Sequence, residues 1–144
     1  MTRIAQGVVL FSDDVREEIG GKSSYMGLLG PEVWVHAEKS VSFVCTLLLW
    51  VIDPQVTVSA DFKLENAPEG VSPPPPFTRT VTKQAEDGAA QWVVQMVGRL
   101  RFRVGNQPLL FEVTFSVGDQ TFSNRIIFDP MPDDAQEGGS TPSD

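Results

Sequence analysis

A period-two alternation of apolar and polar residues recurs along this chain and constrains its fold more than any other feature. Between Gln55 and Glu65, apolar side chains occupy every second position and polar side chains the positions between them. Residues 91–104 and 109–117 repeat the pattern. Because successive side chains of a β-strand point to opposite faces of a sheet, each pattern predicts a strand with one buried and one solvated face.

Further strands are predicted between turn-forming residues. They cover residues 8–12, 23–29, 32–36, 43–52, 78–82 and 120–128. The run 43–52 is almost continuously apolar, which is typical of a strand buried on both sides or lying beneath a loop. A short helical turn is predicted over residues 15–19, before the Gly20-Gly21 pair, which permits a sharp reversal. Gly98 falls at an inward position of its strand and predicts a bulge or a close approach by another backbone.

Seven to nine strands, with turn residues between them and no long helical pattern, predict an all-β fold. We expect a single antiparallel β-sandwich domain over residues 1–130, of immunoglobulin-like or C2-like architecture. The loop over residues 66–77 contains four consecutive prolines, which lack amide donors, so it is expected to lie outside any sheet. Residues 131–144 are polar and rich in Gly and Pro, and predict a disordered acidic tail.

Charge and cysteine content exclude several classes of protein. The formal net charge of −8 argues against a nucleic-acid binder, which needs a surplus of Lys and Arg to neutralise phosphates. The single cysteine, Cys45, rules out an intramolecular disulfide, so stability must come from core burial. The first apolar run is too short for a signal peptide, and none is long enough to span a bilayer. Residence in the cytoplasm, or assembly from it into a particle, is therefore expected.

A charged segment follows the first predicted strand. Its candidate partner-binding residues are Asp13, Asp14, Arg16, Glu17 and Lys22. Three interpretations are open: ion pairing and capping within the segment, a surface that recognises a protein partner, or a calcium site completed by Asp53 or Asp129. Two of the residues, Arg16 and Lys22, would compete with a cation for the carboxylates. No metal site is therefore expected.

A stripe of arginines on the solvated face of the strand over residues 91–104 is a weaker candidate site. Its members are Arg99, Arg101 and Arg103. Guanidinium groups bind phosphate and carboxylate well, so the stripe is suited to a small anion or an acidic partner. The alternative is cross-strand pairing with carboxylates such as those of Asp61, Glu65 or Glu112, and this alternative is favoured.

Residues for catalysis are not recognisable in the sequence. His36 is the only histidine, and one His with one Cys cannot form a zinc site without two carboxylates. Cys45 lies in an apolar run, where a buried thiol is expected, and no GxSxG, HExxH or phosphate-loop motif is present. Trp34, Trp50 and Trp92 are expected to pack in the core or on the sheets. We therefore expect that the protein is not an enzyme and has no cofactor.

The opening stretch resembles the N-terminal signature of a family of short uncharacterised bacterial and phage proteins, a domain of unknown function. In that signature an aromatic residue, an Asp-Asp pair, Ile or Val and Arg precede Gly-Lys-x-Ser and a further Gly. The matching residues are Phe11, Asp13, Asp14, Val15, Arg16, Gly21, Lys22, Ser24 and Gly27. The resemblance implies a small all-β accessory protein in a bacterial or phage setting, and it implies no catalytic residue.

The sequence thus predicts a non-enzymatic module that binds a protein partner or associates with itself. In the setting that the resemblance implies, this would be a phage-encoded accessory or virion-associated protein, resident in the cytoplasm of a bacterial host. The alternative prediction is a β-sandwich that binds calcium or a small anion.

Overall fold

Nine β-strands are present in the computed structural model, which describes residues 4–18, 22–84 and 91–131. They are β1 (Ile4–Glu18), β2 (Lys22–Leu28), β3 (Glu32–His36), β4 (Ser40–Val51), β5 (Gln55–Glu65), β6 (Phe77–Thr82), β7 (Trp92–Arg103), β8 (Leu109–Val117) and β9 (Gln120–Met131). The predicted all-β fold is confirmed. Within the described ranges, no helix has the length and apolar character needed to cross a membrane.

The strands form two sheets that pack face to face as a β-sandwich. Sheet A has the strand order β2-β1-β4-β7, and sheet B has the order β3-β9-β8-β5-β6. Neighbouring strands are antiparallel, except that β3 runs parallel to β9. The edge strands are therefore β2 and β7 in sheet A, and β3 and β6 in sheet B.

Side chains from the inner faces of both sheets form the core, and Phe111 lies at its centre. This ring is fully buried on β8. It contacts four other rings at centroid distances between 5.4 and 6.0 Å, those of Phe11, Phe43, Phe62 and Phe102. Because these rings come from both sheets, the aromatic cluster joins the two layers of the sandwich.

Two local predictions are wrong. The helical turn does not form, because β1 continues as a strand to Glu18 and pairs there with Lys22. The bulge or close approach at Gly98 is also not observed. The β4–β7 ladder runs without a register shift through the pair Cys45 and Gly98, and a Cβ built on Gly98 would have no heavy atom within 4 Å. The position is therefore open rather than crowded.

One other local prediction is confirmed, and two concern residues that the structure does not describe. Residues 66–76, which include the four prolines, lie outside both sheets as expected. A tight turn connects β8 and β9, with Gly118 at φ +61°. The reversal at Gly20-Gly21 and the acidic tail beyond Met131 lie outside the described residues.

Burial of Cys45 gives the fold an alkaline sensitivity. The side chain is 5% exposed, and burial raises the pKa of its thiol from 9.0 to about 12. Above pH 9 the unfolded thiol ionises while the folded thiol stays protonated, so the stabilisation present below pH 9 is lost as the pH rises toward 12. We expect the free energy of unfolding to fall by about 1.4 kcal/mol between pH 8 and pH 10 through this group alone.

Urea unfolding at pH 8 and pH 10 measures this loss in the free energy of unfolding. Cys45→Ala is the comparison, because the variant lacks the titrating thiol. The wild type should lose about 1.4 kcal/mol more than the variant. Equal losses would mean that the thiol is not held in its neutral form by the fold.

Candidate interaction surface on the outer face of sheet A

The charged N-terminal segment lies in a hairpin formed by β1 and β2. β1 pairs with β4 from Ile4 to Ser12, and with β2 from Ser12 to Glu18. The second half of β1 therefore leaves β4 and continues with β2 as a two-stranded hairpin. The backbone of Glu17 and Lys22 belongs to this hairpin, while the side chains of these two candidate residues lie outside what the structure describes.

Two side-chain contacts connect the hairpin to β7 across β4. Arg99 Nη2 donates to Asp14 Oδ1 at 3.1 Å, and Ser23 Oγ donates to Gln95 Oε1 at 3.1 Å. On the outer face of β4, Val44 pairs in register with Arg99 and is only 2% exposed. The hairpin and the Arg99 side chain thus cover part of this outer face. The near-continuous apolar run predicted a strand covered on both sides, and β4 is covered on both sides here.

Asp14 is where the two candidate sites meet. Its Oδ1 accepts hydrogen bonds from the Val15 amide at 2.9 Å and from Arg99, and its Oδ2 lies 3.7 Å from Arg16 Nε. The charged segment and the arginine stripe, predicted as separate sites, are therefore one continuous surface. Because all three charged side chains are about half exposed, each ion pair contributes at most about 1 kcal/mol. The pairs orient the side chains more than they stabilise the fold.

Asp13 points away from Asp14 and packs against Gly27. Gly27 has φ +64°, and a Cβ at this position would overlap the Asp13 carboxylate. Only glycine adopts this backbone conformation at little cost. The contact gives a physical reason for glycine at position 27 beside Asp13.

The arginine stripe faces solvent on β7, as predicted. Arg103 donates from Nη1 to Glu38 Oε2 at 3.2 Å and from Nη2 to the Glu69 carbonyl at 2.9 Å. Arg101 forms no ion pair with a described side chain. The cross-strand partners predicted for the stripe are wrong, because Asp61, Glu65 and Glu112 belong to β5 and β8 of sheet B.

Apolar side chains lie exposed beside these arginines. Val93 and Val97 on the outer face of β7 are 52% and 49% exposed. No other described strand pairs with the free edge of β7. The alternation in the sequence places Trp92, Val94 and Met96 in the core and gives no reason for apolar residues between them. Valine at two outward positions was the signal that this face is not an ordinary solvated surface.

The calcium ligands considered from the sequence do not come together. Among the described residues, no three His, Cys, Asp or Glu side chains are placed to hold a metal ion. Asp53 follows β4, and Asp129 lies on β9 of sheet B. His36 is on β3 of sheet B, whereas Cys45 is in the interior of sheet A, so these two residues form no pair.

Trp34 is exposed, contrary to prediction. It is 61% exposed on the edge strand β3, whereas Trp92 is buried and donates its indole N–H to the Asp53 carbonyl at 2.7 Å. Glu32 lies on the same face of β3 as Trp34. A side-chain hydrogen bond with Asp129, together with burial and charge repulsion, raises the pKa of Glu32. Exposed tryptophan is common at protein interfaces, so β3 provides a second surface for contacts.

Models of known protein families give no match to this chain, and curated proteins give none. The function is therefore inferred from the chemistry of the surfaces. The outer face of sheet A combines exposed valines, a guanidinium group without an ion-pair partner among the described side chains, and an edge with which no described strand pairs, whereas β3 presents one exposed aromatic side chain.

Proposed function

We propose that the protein is a non-enzymatic module that binds a protein partner through the outer face of β7. This surface, called the β7 face below, consists of Val93, Val97, Arg99 and Arg101, with Asp14 beside them. The observation that supports it most is that Val93 and Val97 are exposed on the same outward face of β7 as Arg99 and Arg101, with Arg99 next to Val97. Exposed apolar patches bordered by polar residues mark protein interfaces, and arginine is enriched in them.

The charges of the β7 face and of the whole chain indicate which side chains the partner carries at the interface. Because Arg99 and Arg103 are paired with Asp14 and Glu38, Arg101 supplies the positive charge on this face that no described carboxylate neutralises, on a chain with a formal net charge of −8. An acidic partner would be repelled by most of the molecule and attracted to the β7 face, which selects one orientation of approach. The partner is therefore expected to carry an apolar strip bordered by carboxylates. Self-association is the second form of this proposal, and it is measured with the same variants.

The setting proposed for this interaction comes from the N-terminal resemblance. A bacterial or phage accessory protein, including one carried in a virion, acts by assembling with other chains. A module with a free strand edge and an exposed apolar strip suits such assembly, because an edge strand can pair with a strand from a partner.

Calcium or small-anion binding is the alternative, and it has less support. The Asp13 carboxylate packs against Gly27, and the Asp14 carboxylate pairs with Arg16 and Arg99. Calcium requires about six to eight oxygen ligands, so both carboxylates would have to give up these contacts. We expect no increase in melting temperature at millimolar calcium, although a ligand that binds only the native state would produce one.

Charge reversal at Arg101 is expected to abolish partner binding. Removing an interfacial arginine commonly weakens binding by tenfold or more, which corresponds to about 1.4 kcal/mol or above. Arg101→Glu is compared with Arg125→Glu, which makes the same charge change on β9 of sheet B. Tagged wild type and variants are used to capture proteins from the native host, and bound proteins are quantified by mass spectrometry. Sedimentation velocity on the same samples measures self-association.

The expected result is a partner, or a dimer, that is lost with Arg101→Glu and kept with Arg125→Glu. Arg101 is exposed, so Arg101→Glu should melt as the wild type does. Arg125→Glu places a second carboxylate opposite Glu112 and should lower the melting temperature slightly while the protein stays folded. Capture that survives Arg101→Glu would place the interface elsewhere, with Trp34 on β3 as the next surface to test. A monomer without a partner in every sample would refute the proposed function.

A further inference from the structure

A cavity of about 440 Å³ opens between the two sheets at the side of the sandwich bordered by β6 and β7. Its wall is apolar and includes Cys45, Phe62, Met96, Leu100 and Phe115. The proline-rich loop and Phe77 form part of its mouth. This volume lies within the range of roughly 300–1,000 Å³ that is usual for small-molecule sites, and such sites are mostly apolar with a few polar groups.

Gly98 keeps this cavity open. It lies opposite Cys45 on the inward-facing side of β7, where its neighbours Met96 and Leu100 carry large apolar side chains. Gly98 is exposed and lines the cavity, and a Cβ on it would meet no atom within 4 Å, so a side chain at this position would project into the open part of the cavity. Protein interiors are otherwise packed to crystal-like density, and unfilled apolar space lowers stability. Glycine at this position is explained if a ligand occupies the space that a side chain would otherwise fill.

Arg79 supplies a charge at the mouth. It follows the inward-facing pattern of β6, two residues from Phe77, and pairs in register with the buried Val58. Its guanidinium carbon lies 5.6 Å from the centroid of the Phe77 ring. Among the described residues that line the cavity, Arg79 is the only charged one, and it forms no ion pair with a described carboxylate.

We propose that this cavity binds a small amphiphile with an unbranched apolar chain and an anionic head group, such as a medium-chain carboxylate. The chain would lie against Phe62, Met96 and Phe115, and the carboxylate would pair with Arg79 at the mouth. The apolar wall recognises the chain, and the single positive charge recognises the head group. Of the residues of the β7 face only Val97 also lines the cavity, and the chain and head-group contacts proposed here are made by other residues, so the ligand site does not depend on the protein-binding function.

Calorimetric titration tests the proposal, with octanoate and decanoate below their micelle concentrations and decanol below its solubility limit. Burial of each methylene group is expected to tighten binding about fourfold, so decanoate should bind about fifteenfold more tightly than octanoate. Decanoate should also bind about threefold more tightly than decanol, because a partly exposed ion pair adds a modest term.

Two variants separate the chain site from the head-group site. Gly98→Leu places a side chain in the cavity and should weaken decanoate binding at least tenfold. Its melting temperature should equal or exceed that of wild type, because the leucine fills empty space and glycine is unfavourable in a strand. Arg79→Gln should bring decanoate affinity down to that of decanol and leave decanol affinity unchanged.

The outcomes are distinguishable. Tight decanoate binding that Gly98→Leu removes and Arg79→Gln weakens supports the proposal. It is overturned if wild type binds no decanoate at millimolar concentration, or if Gly98→Leu binds it as well as wild type does. Equal binding of decanoate and decanol by wild type would also overturn it, because Arg79 would then act only as an inward-facing charge that protects the edge strand β6 from strand pairing.

Discussion

Replacing Phe111 with alanine is expected to destabilise the protein by about 4 kcal/mol. The ring is fully buried and contacts Phe11 and Phe43 from sheet A and Phe62 from sheet B. Its removal loses the transfer free energy of the ring and leaves a cavity that the surrounding rings cannot fill without leaving their own contacts. The two sheets would lose the side chain through which they interlock.

Guanidinium chloride unfolding at pH 7 measures this loss, with Phe77→Ala as the matched control. Phe77 lies on the edge strand β6, is 38% exposed and has one described ring neighbour, Phe62 at 6.1 Å. Its truncation should cost about 1 kcal/mol, since part of the ring is already in water. For Phe111→Ala, a loss of about 4 kcal/mol should also lower the melting temperature by about 12 °C. This loss is a large part of the total, because small domains are stable by only about 5–15 kcal/mol. Similar losses for the two variants would mean that Phe111 is not central to the core.

The alternating patterns predicted their strands closely because the signal is local. The bounds of β3, β5 and β8 are those predicted from the sequence. β5 and β8 each have a buried face and β3 has a partly buried one, and the period of two in the sequence follows from this difference between the faces. The parallel pairing of β3 with β9 has no such signal, because these strands are far apart in the chain and their pairing depends on the whole topology.

The candidate surface was only partly predictable for the same reason. The residues of the charged segment and of the stripe were identified, but Asp14 and Arg99 are 85 positions apart in sequence. Their contact depends on how β1 and β7 flank β4, so the two sites could not be joined from composition or spacing. The acids expected to neutralise the stripe have the right charge but belong to the other sheet.

Gly98 is a second position at which the sequence alone could not predict the structure. A glycine at an inward strand position indicates that a side chain is missing, and this is all that the sequence can show. A close approach by another backbone and an empty space both satisfy that pattern. Only the positions of Cys45, Phe62 and Phe115 across the sandwich show that the space is empty.

Replacing Gly27 with alanine is expected to destabilise the protein by about 2–3 kcal/mol. A φ of +64° costs about 1–2 kcal/mol for a residue with a Cβ, and the overlap with the Asp13 carboxylate adds a steric term of similar size. Gly98→Ala is the matched control, because its backbone is not in the left-handed region and its Cβ would meet no atom. That control should be neutral or stabilise the protein by up to about 1 kcal/mol.

The double variant Asp13→Ala/Gly27→Ala separates the two causes. Removing the carboxylate relieves the overlap but not the backbone cost, so the double variant should be about 1 kcal/mol more stable than the sum of the single changes predicts. Because the hairpin holds Asp14 beside Arg99, Gly27→Ala should also weaken partner capture at the β7 face, whereas Gly98→Ala should not. Strict additivity in urea unfolding would show that Asp13 and Gly27 are not in contact, and the steric reason given for glycine at position 27 would then be wrong.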